Sequence, residues 1–209
     1  VTSSGARRQA TGDRDDEQRG DPEAAALEIC LRLLTAAPRT RAQLDQALRR
    51  RGVPQSAADA ALDRLAGAGL IDDAAFARAW VDTRHRGRGL ARRALTAELR
   101  QRGVDEGDVR AAVADLSPEQ EAAAARRLVE AKLAATRGRP LATRMRRLTG
   151  LLARKGYPAA MAYRVIREAL EQEGIDLAQA GLEVEGVLDA DAAAGEPDLD
   201  GELTVDPGD

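Results

Sequence analysis

The chain is 209 residues long and carries 32 Lys+Arg against 35 Asp+Glu, a formal net charge of −3. It has one Cys, one His and four aromatic residues. A zinc centre, which takes about four Cys/His ligands, and a disulfide are thereby excluded, and no run of about 18 apolar residues offers a membrane span. The first residues hold no apolar stretch suited to secretion, so a cytoplasmic location is expected.

Residues 1–22 are Gly, Ser, Asp and Arg without periodicity, net charge −1, and read as a disordered N-terminal extension. From residue 23 to 172 Ala, Leu, Arg and Glu dominate, strand signals are nearly absent, and the net charge is +10. Start and stop signals divide this body into nine helices. The first begins near Pro22 and closes at Pro38. The second opens on the capping box Thr40-x-x-Gln43 and stops at Gly52. The third follows Pro54 and fades at Gly67 and Gly69; the fourth is capped by Asp72 and ends at Gly87 and Gly89. The fifth spans Leu90 to Arg102 with Gly103 as its stop, and the sixth runs from Asp105 to Leu116. Ser117-Pro118-Glu119-Gln120 starts the seventh, which reaches Thr136. The eighth runs from Pro140 to Lys155, and the ninth from Pro158 to Glu173. Residues 174–209 have no Lys or Arg and read as an acidic, mostly disordered tail, with room for a short helix between 175 and 188. Such a tail either solubilises the chain or folds back on its basic body.

Three glycines, Gly52, Gly103 and Gly156, bring the nine helices into register. Four residues before each stands a Leu (Leu48, Leu99, Leu152), and eight before each another (Leu44, Leu95, Leu148). A basic residue precedes each glycine and an apolar one follows: Val53, Val104, Tyr157. The period predicts an all-α fold of three tandem three-helix repeats, at residues 23–71, 72–116 and 117–173. A unit of about 50 residues buries little surface alone, so neighbours are expected to stack into an elongated, curved array.

No catalytic constellation is present. Phosphate-loop and nucleophile-elbow motifs are absent. Cys30 sits at helical spacing with Leu27, Leu31 and Leu34 and reads as a buried apolar residue. His85 reads as exposed, and Asp72-Asp73 as acids favoured at a helix N-terminus. No enzyme activity, metal or cofactor is expected. The basic residues carry more information. Arg84, Arg86, Arg88, Arg92 and Arg93 crowd the turn at Gly87-x-Gly89, on a helix whose Phe76 and Trp80 share a core face. Arg144, Arg146, Arg147, Arg154 and Lys155 form a second cluster in the third repeat. Guanidinium groups at this density suit phosphates or an acidic protein surface.

Residues 69–104 resemble the RecX family of bacterial recombination regulators. The shared residues are Leu70-Ile71-Asp72-Asp73, Phe76-Ala77, Trp80-Val81, Arg84, Arg88-Gly89, Arg92-Arg93, Glu98-Leu99 and Arg102-Gly103-Val104. Leu152-Ala153-Arg154-Lys155-Gly156-Tyr157 is similar to a second family segment. The resemblance covers residues 23–172; the N-terminal extension, the acidic tail and Ala91 depart from it. It implies a non-enzymatic negative regulator that binds RecA filaments on single-stranded DNA. It further implies restraint of RecA's ATPase, strand exchange and co-protease activities, and so of recombination, DNA repair and the SOS response. A monomer is expected, with no membrane partner. The alternative is a basic helical nucleic-acid-binding module acting directly on DNA. Residues 40–71 pass for a helix-turn-helix, but the helix at 54–68 offers only Arg64 against Asp59 and Asp63, poor equipment for reading a groove. Four aromatics are also few for stacking on single strands.

Overall fold

The computed structural model describes residues 21–175. The expected N-terminal extension up to residue 20, the acidic tail from residue 176 and the helix sought between 175 and 188 lie outside the described residues. Among the described residues the fold is all-α, with nine α-helices: α1 Pro22–Ala36, α2 Arg41–Arg50, α3 Gln55–Gly67, α4 Asp73–Arg88, α5 Arg92–Gln101, α6 Glu106–Ala114, α7 Pro118–Leu133, α8 Leu141–Arg154 and α9 Ala159–Gln172. They form successive three-helix units.

The start signals act as their chemistry predicts. Thr40 and Ser117 close reciprocal capping boxes with Gln43 and Gln120. Asp21, Asp72 and Asp105 accept backbone N–H bonds at the starts of α1, α4 and α6. Several boundaries differ from the sequence reading; the sixth helix, for one, ends at Ala114 and not Leu116. The seventh helix ends at Leu133 and continues as a 3-10 turn, Ala134–Thr136, whose Thr136 hydroxyl donates to the Leu133 carbonyl. The fourth runs through Gly87 to Arg88. The fifth begins at Arg92 instead of Leu90, because Leu90 and Ala91 form a non-helical link anchored by side-chain and backbone bonds.

The described chain divides into two compact units. The first holds everything up to Asp82 together with Thr96–Asp115; the second holds Thr83–Leu95 and everything from Leu116 on. In the first unit α1, α2 and α3 close around Ala26, Cys30, Leu44, Leu48, Ala61 and Leu62, all at most 1% exposed. In the second, α7, α8 and α9 close around Val129, Leu148, Leu152, Val165, Ile166 and Leu170. Alanines stand among these core residues in both units, Ala26 and Ala61 in the first and Ala125 and Ala162 in the second.

Each unit contains one junction between repeats, and the two junctions use the same chemistry. In the first unit the Thr40 hydroxyl donates to the Arg102 carbonyl at 2.6 Å, and the Arg41 N–H donates to Asp73 Oδ1 at 2.9 Å. In the second unit the Ala91 N–H donates to the Lys155 carbonyl at 2.9 Å, and the Arg92 N–H donates to Glu121 Oε1 at 2.8 Å. Thr40 and Ala91 each stand 12 residues before the glycine of their own repeat. Their acceptors stand one residue before the glycine of the next. The middle helix of one repeat is thus capped at its N-terminus by a carboxylate from the first helix of the following one. The receiving turn needs glycine on two counts. Gly103 and Gly156 have φ of +74° and +84°. A Cβ on Gly103 would fall 2.3 Å from the Cβ of Ala42, and one on Gly156 would fall 2.6 Å from the Ala94 nitrogen.

The third repeat ends differently. Arg144 occupies the position of Thr40 and Ala91, 12 residues before Gly156. Helix α8 has 14 residues where α2 and α5 have 10, so this position lies inside a helix. Arg144 is 6% exposed, donates to the Thr136 hydroxyl at 3.0 Å and ion-pairs with Glu173. Arg137 also donates to Glu173, at 2.8 Å. The hydrogen bonds from Arg144 and then Arg137 hold the Glu173 carboxyl below the usual carboxylate range.

Replacing the buried Glu121 by Ala leaves the Arg92 N–H without its acceptor and is expected to destabilise the fold by about 2 kcal/mol in urea unfolding. Tyr157→Phe, which removes the 3.0 Å bond from the phenol to the Gly89 carbonyl, is expected to cost about 1 kcal/mol by the same assay. Glu173's depressed pKa contributes stability that is complete above about pH 4.3, the unfolded value, and lost as pH falls through the lower folded value. Acid titration of Glu173→Gln is therefore expected to lack that part of the wild-type loss.

Candidate functional site

The turn between α4 and α5 is fixed from beneath. The chain reverses through Gly89 (φ +63°), and the Leu90 N–H reaches the Arg84 carbonyl at 3.4 Å. His85, expected to be exposed, is 8% exposed; its Nδ1 lies 2.9 Å from the Leu90 carbonyl. That contact requires Nδ1 to carry the proton. Tyr157 supports the other side of the turn through the Gly89 carbonyl. Burial, with the Glu121 charge adding to it, pushes the Tyr157 phenol up to about 12, so it remains a neutral donor at physiological pH.

On this support Arg86, Arg88 and Arg93 are exposed, while Arg84 and Arg92 are half-buried. Arg92 donates to the Leu116 carbonyl and pairs with Glu121 at 3.8 Å, so its charge is partly committed to the junction. In the second cluster Arg146, Arg147 and Arg154 are exposed on α8 and Lys155 is half-buried. Arg144 is held inside the unit by Thr136 and Glu173. The cleft lined by Arg137, Gly138, Arg144 and Glu173 belongs to that same ion pair. All ten basic residues fall in the second compact unit. The Ala91–Lys155 bond and the Gly156–Ala94 contact join the end of α8 to the turn that carries the first cluster.

Sequence reasoning missed Arg127, exposed on α7 and near enough for its charge to oppose the Tyr157 shift. It also missed that Glu121 and Tyr157 hold the turn. A first-turn glutamate and a post-glycine tyrosine each have a purely local explanation, and only the fold connects them to Arg92 and Gly89.

In the first unit Phe76 and Trp80 are half-buried, not core. Their rings stack with centroids 5.6 Å apart, and the indole N–H donates to Glu98 at 2.6 Å. The Arg102 guanidinium lies 3.7 Å from the Trp80 ring centroid. An indole with a polar N–H settles where one edge meets a polar partner. Cys30 is buried, as expected, and burial raises its thiol pKa. Among the described residues no group of three or more His, Cys, Asp or Glu could hold a metal ion, and no helix is long and apolar enough to cross a membrane.

Comparison with known proteins matches both the repeats and their sequence. Residues 26–65 match the family model for the first three-helix domain of RecX, and residues 72–113 that for the second. The regulatory protein RecX of Thermobifida fusca is 64% identical over 157 residues, covering 75% of this chain and 85% of that one. That of Streptomyces coelicolor is 56% identical over 161 residues, covering 77% and 86%. The crystal structure of RecX from Lactobacillus salivarius superposes with a TM-score of 0.65 at 18% identity, over 71% of this chain and 96% of that one, a likeness of fold. With two of its repeats matched by the family's domain models and most of a curated relative covered at 64% identity, the chain belongs to the RecX family of non-enzymatic regulatory proteins.

Proposed function

We propose that this chain is a cytoplasmic negative regulator that binds RecA filaments on single-stranded DNA and inhibits RecA's ATPase, strand exchange and co-protease activities. Through these it modulates homologous recombination, DNA repair and the SOS response. It works as a monomer of three three-helix repeats, at residues 23–71, 72–116 and 117–173. The observation that carries the reading is the rigid basic turn of the second unit. Arg86, Arg88 and Arg93 are exposed around a reversal tied down by His85, Tyr157 and Glu121. Guanidinium groups carried on a fixed backbone recognise carboxylates and phosphates through bidentate bonds. Arg84, Arg92, Arg146, Arg147, Arg154 and Lys155 extend the contact set. A partner offering acidic side chains beside a nucleic-acid backbone satisfies both kinds of acceptor at once.

The test is the single-stranded-DNA-dependent ATPase of the cognate RecA, titrated with this protein at near-physiological salt. Inhibition by the wild-type chain is expected. The triple variant Arg86→Glu, Arg88→Glu, Arg93→Glu should need about tenfold more protein for the same inhibition, the effect of losing about 1.4 kcal/mol of contact. No inhibition by the wild-type chain at several-fold excess overturns the proposal. A second titration follows binding to naked single-stranded DNA as salt is raised. A direct DNA-binding module would bind tightly without RecA and lose affinity with a log–log slope of about −0.7 per phosphate contact.

A further inference from the structure

The first repeat carries the same receiving turn as the other two, and among the described residues no helix fills it. Gly52 has φ +74°, as has Gly103. The Val53 N–H bonds to the Leu48 carbonyl at 3.2 Å, as Val104 does to Leu99 at 3.2 Å and Tyr157 to Leu152 at 3.1 Å. The three turns therefore share one backbone geometry. Their surroundings do not match. A Cβ on Gly103 or Gly156 collides with an incoming helix, whereas one on Gly52 meets nothing within 4 Å among the described residues. The Arg102 and Lys155 carbonyls are taken by Thr40 and Ala91. The Arg51 carbonyl meets no donor among the described residues. Glu23 stands in the first turn of α1 as Asp73 and Glu121 stand in those of α4 and α7; its side chain is 37% exposed and pairs with the exposed Arg64 at 3.6 Å, a surface pair that an incoming helix can replace.

We propose that the turn Arg51–Gly52–Val53 is a docking surface for the N-terminal turn of an α-helix of the recombinase protomer, a proposal that rests on the function given above. The two internal junctions define the chemistry of the occupant. It places an Ala-sized residue over Gly52, gives a hydroxyl or an N–H to the Arg51 carbonyl, and turns its first free N–H groups toward a carboxylate. Exposed Arg50 beside the turn favours acidic residues in that same first turn, where helices commonly carry them; Arg49 next to it is paired with Asp45 at 2.9 Å. A second copy of this chain does not fit. Its Thr40–Ala42 and Ala91–Ala94 segments are engaged within their own units, and its third repeat holds buried Arg144 where a donor is required.

Gly52→Asn tests the surface. Asn accepts the left-handed conformation, and its side chain enters open space, so thermal unfolding is expected to stay near wild type. Its bulk blocks the approach that Ala42 and Ala94 make elsewhere, and inhibition of the RecA ATPase is expected to weaken about fivefold. Wild-type inhibition with an equally potent, folded Gly52→Asn overturns the docking surface alone. An inactive wild-type chain overturns the functional reading, and the surface with it. Should Gly52→Asn fail to fold, Arg50→Cys carrying a benzophenone label takes its place, irradiated with the RecA filament and mapped by mass spectrometry. An adduct in the first turn of a RecA helix supports the proposal. Adducts confined to residues 1–20 of the same chain or to a second copy, or none on RecA, overturn it.

Discussion

The structure depends on a carboxylate reaching across a repeat boundary to cap a helix that has too few partners of its own. A helix leaves its first four N–H groups unsatisfied. In α2 and α5 the first helical residue, Arg41 or Arg92, gives its N–H to Asp73 or Glu121 of the next repeat. Without that acceptor a half-buried donor would lose both water and protein, a larger penalty than the bond's net gain. The requirement makes each of the first two repeats depend on its successor for completion. It explains why a chain with so few aromatics still builds ordered cores: polar bonds at the junctions fix the direction in which small apolar faces meet. Burial raises the Asp73 carboxyl above its ordinary value despite the Arg41 N–H, so this bond is made inside the packing.

The second of these junctions also orders the arginine turn. The residues that satisfy the second junction, Ala91 and Arg92, adjoin the turn that carries the arginine cluster, and Tyr157 of the receiving turn holds Gly89. Stability and presentation of charge are therefore not separate properties of this segment. Cations on long flexible side chains bind weakly when the backbone beneath them moves; here the backbone is held by the imidazole of His85, by a phenol and by the Lys155 carbonyl.

Most of the fold was legible because its signals are local. Caps at Thr40 and Ser117, stops at Gly52, Gly103 and Gly156, and Leu at four-residue steps each act within one turn of helix. The register of the three glycines carried the long-range information: it predicted that repeats exist and that neighbours share surface. The pairing itself was not readable. Asp73 looked like a dipole-favoured acid and Arg144 like one more member of a basic cluster, because charge counts do not reveal direction. Burial of Arg144 against Thr136 and Glu173, and of His85 against Leu90, depends on partners 8, 29 and 5 residues away, set by the path of the chain. Trp80 was misjudged for a related reason: helical spacing identified its face, but its N–H needed Glu98.

Arg144 also closes an end. A tandem architecture grows whenever its last member offers the next one something to hold, and nothing in a repeated pattern says when to stop. Here one buried cation stands at the position where the two earlier repeats carry a small residue. Extending the series past α9 would require breaking an internal ion pair and unwinding the first turn of α8, with no new bond to compensate for either. Among the described residues, the third repeat therefore presents no open helix N-terminus of the kind that the first two give to their neighbours.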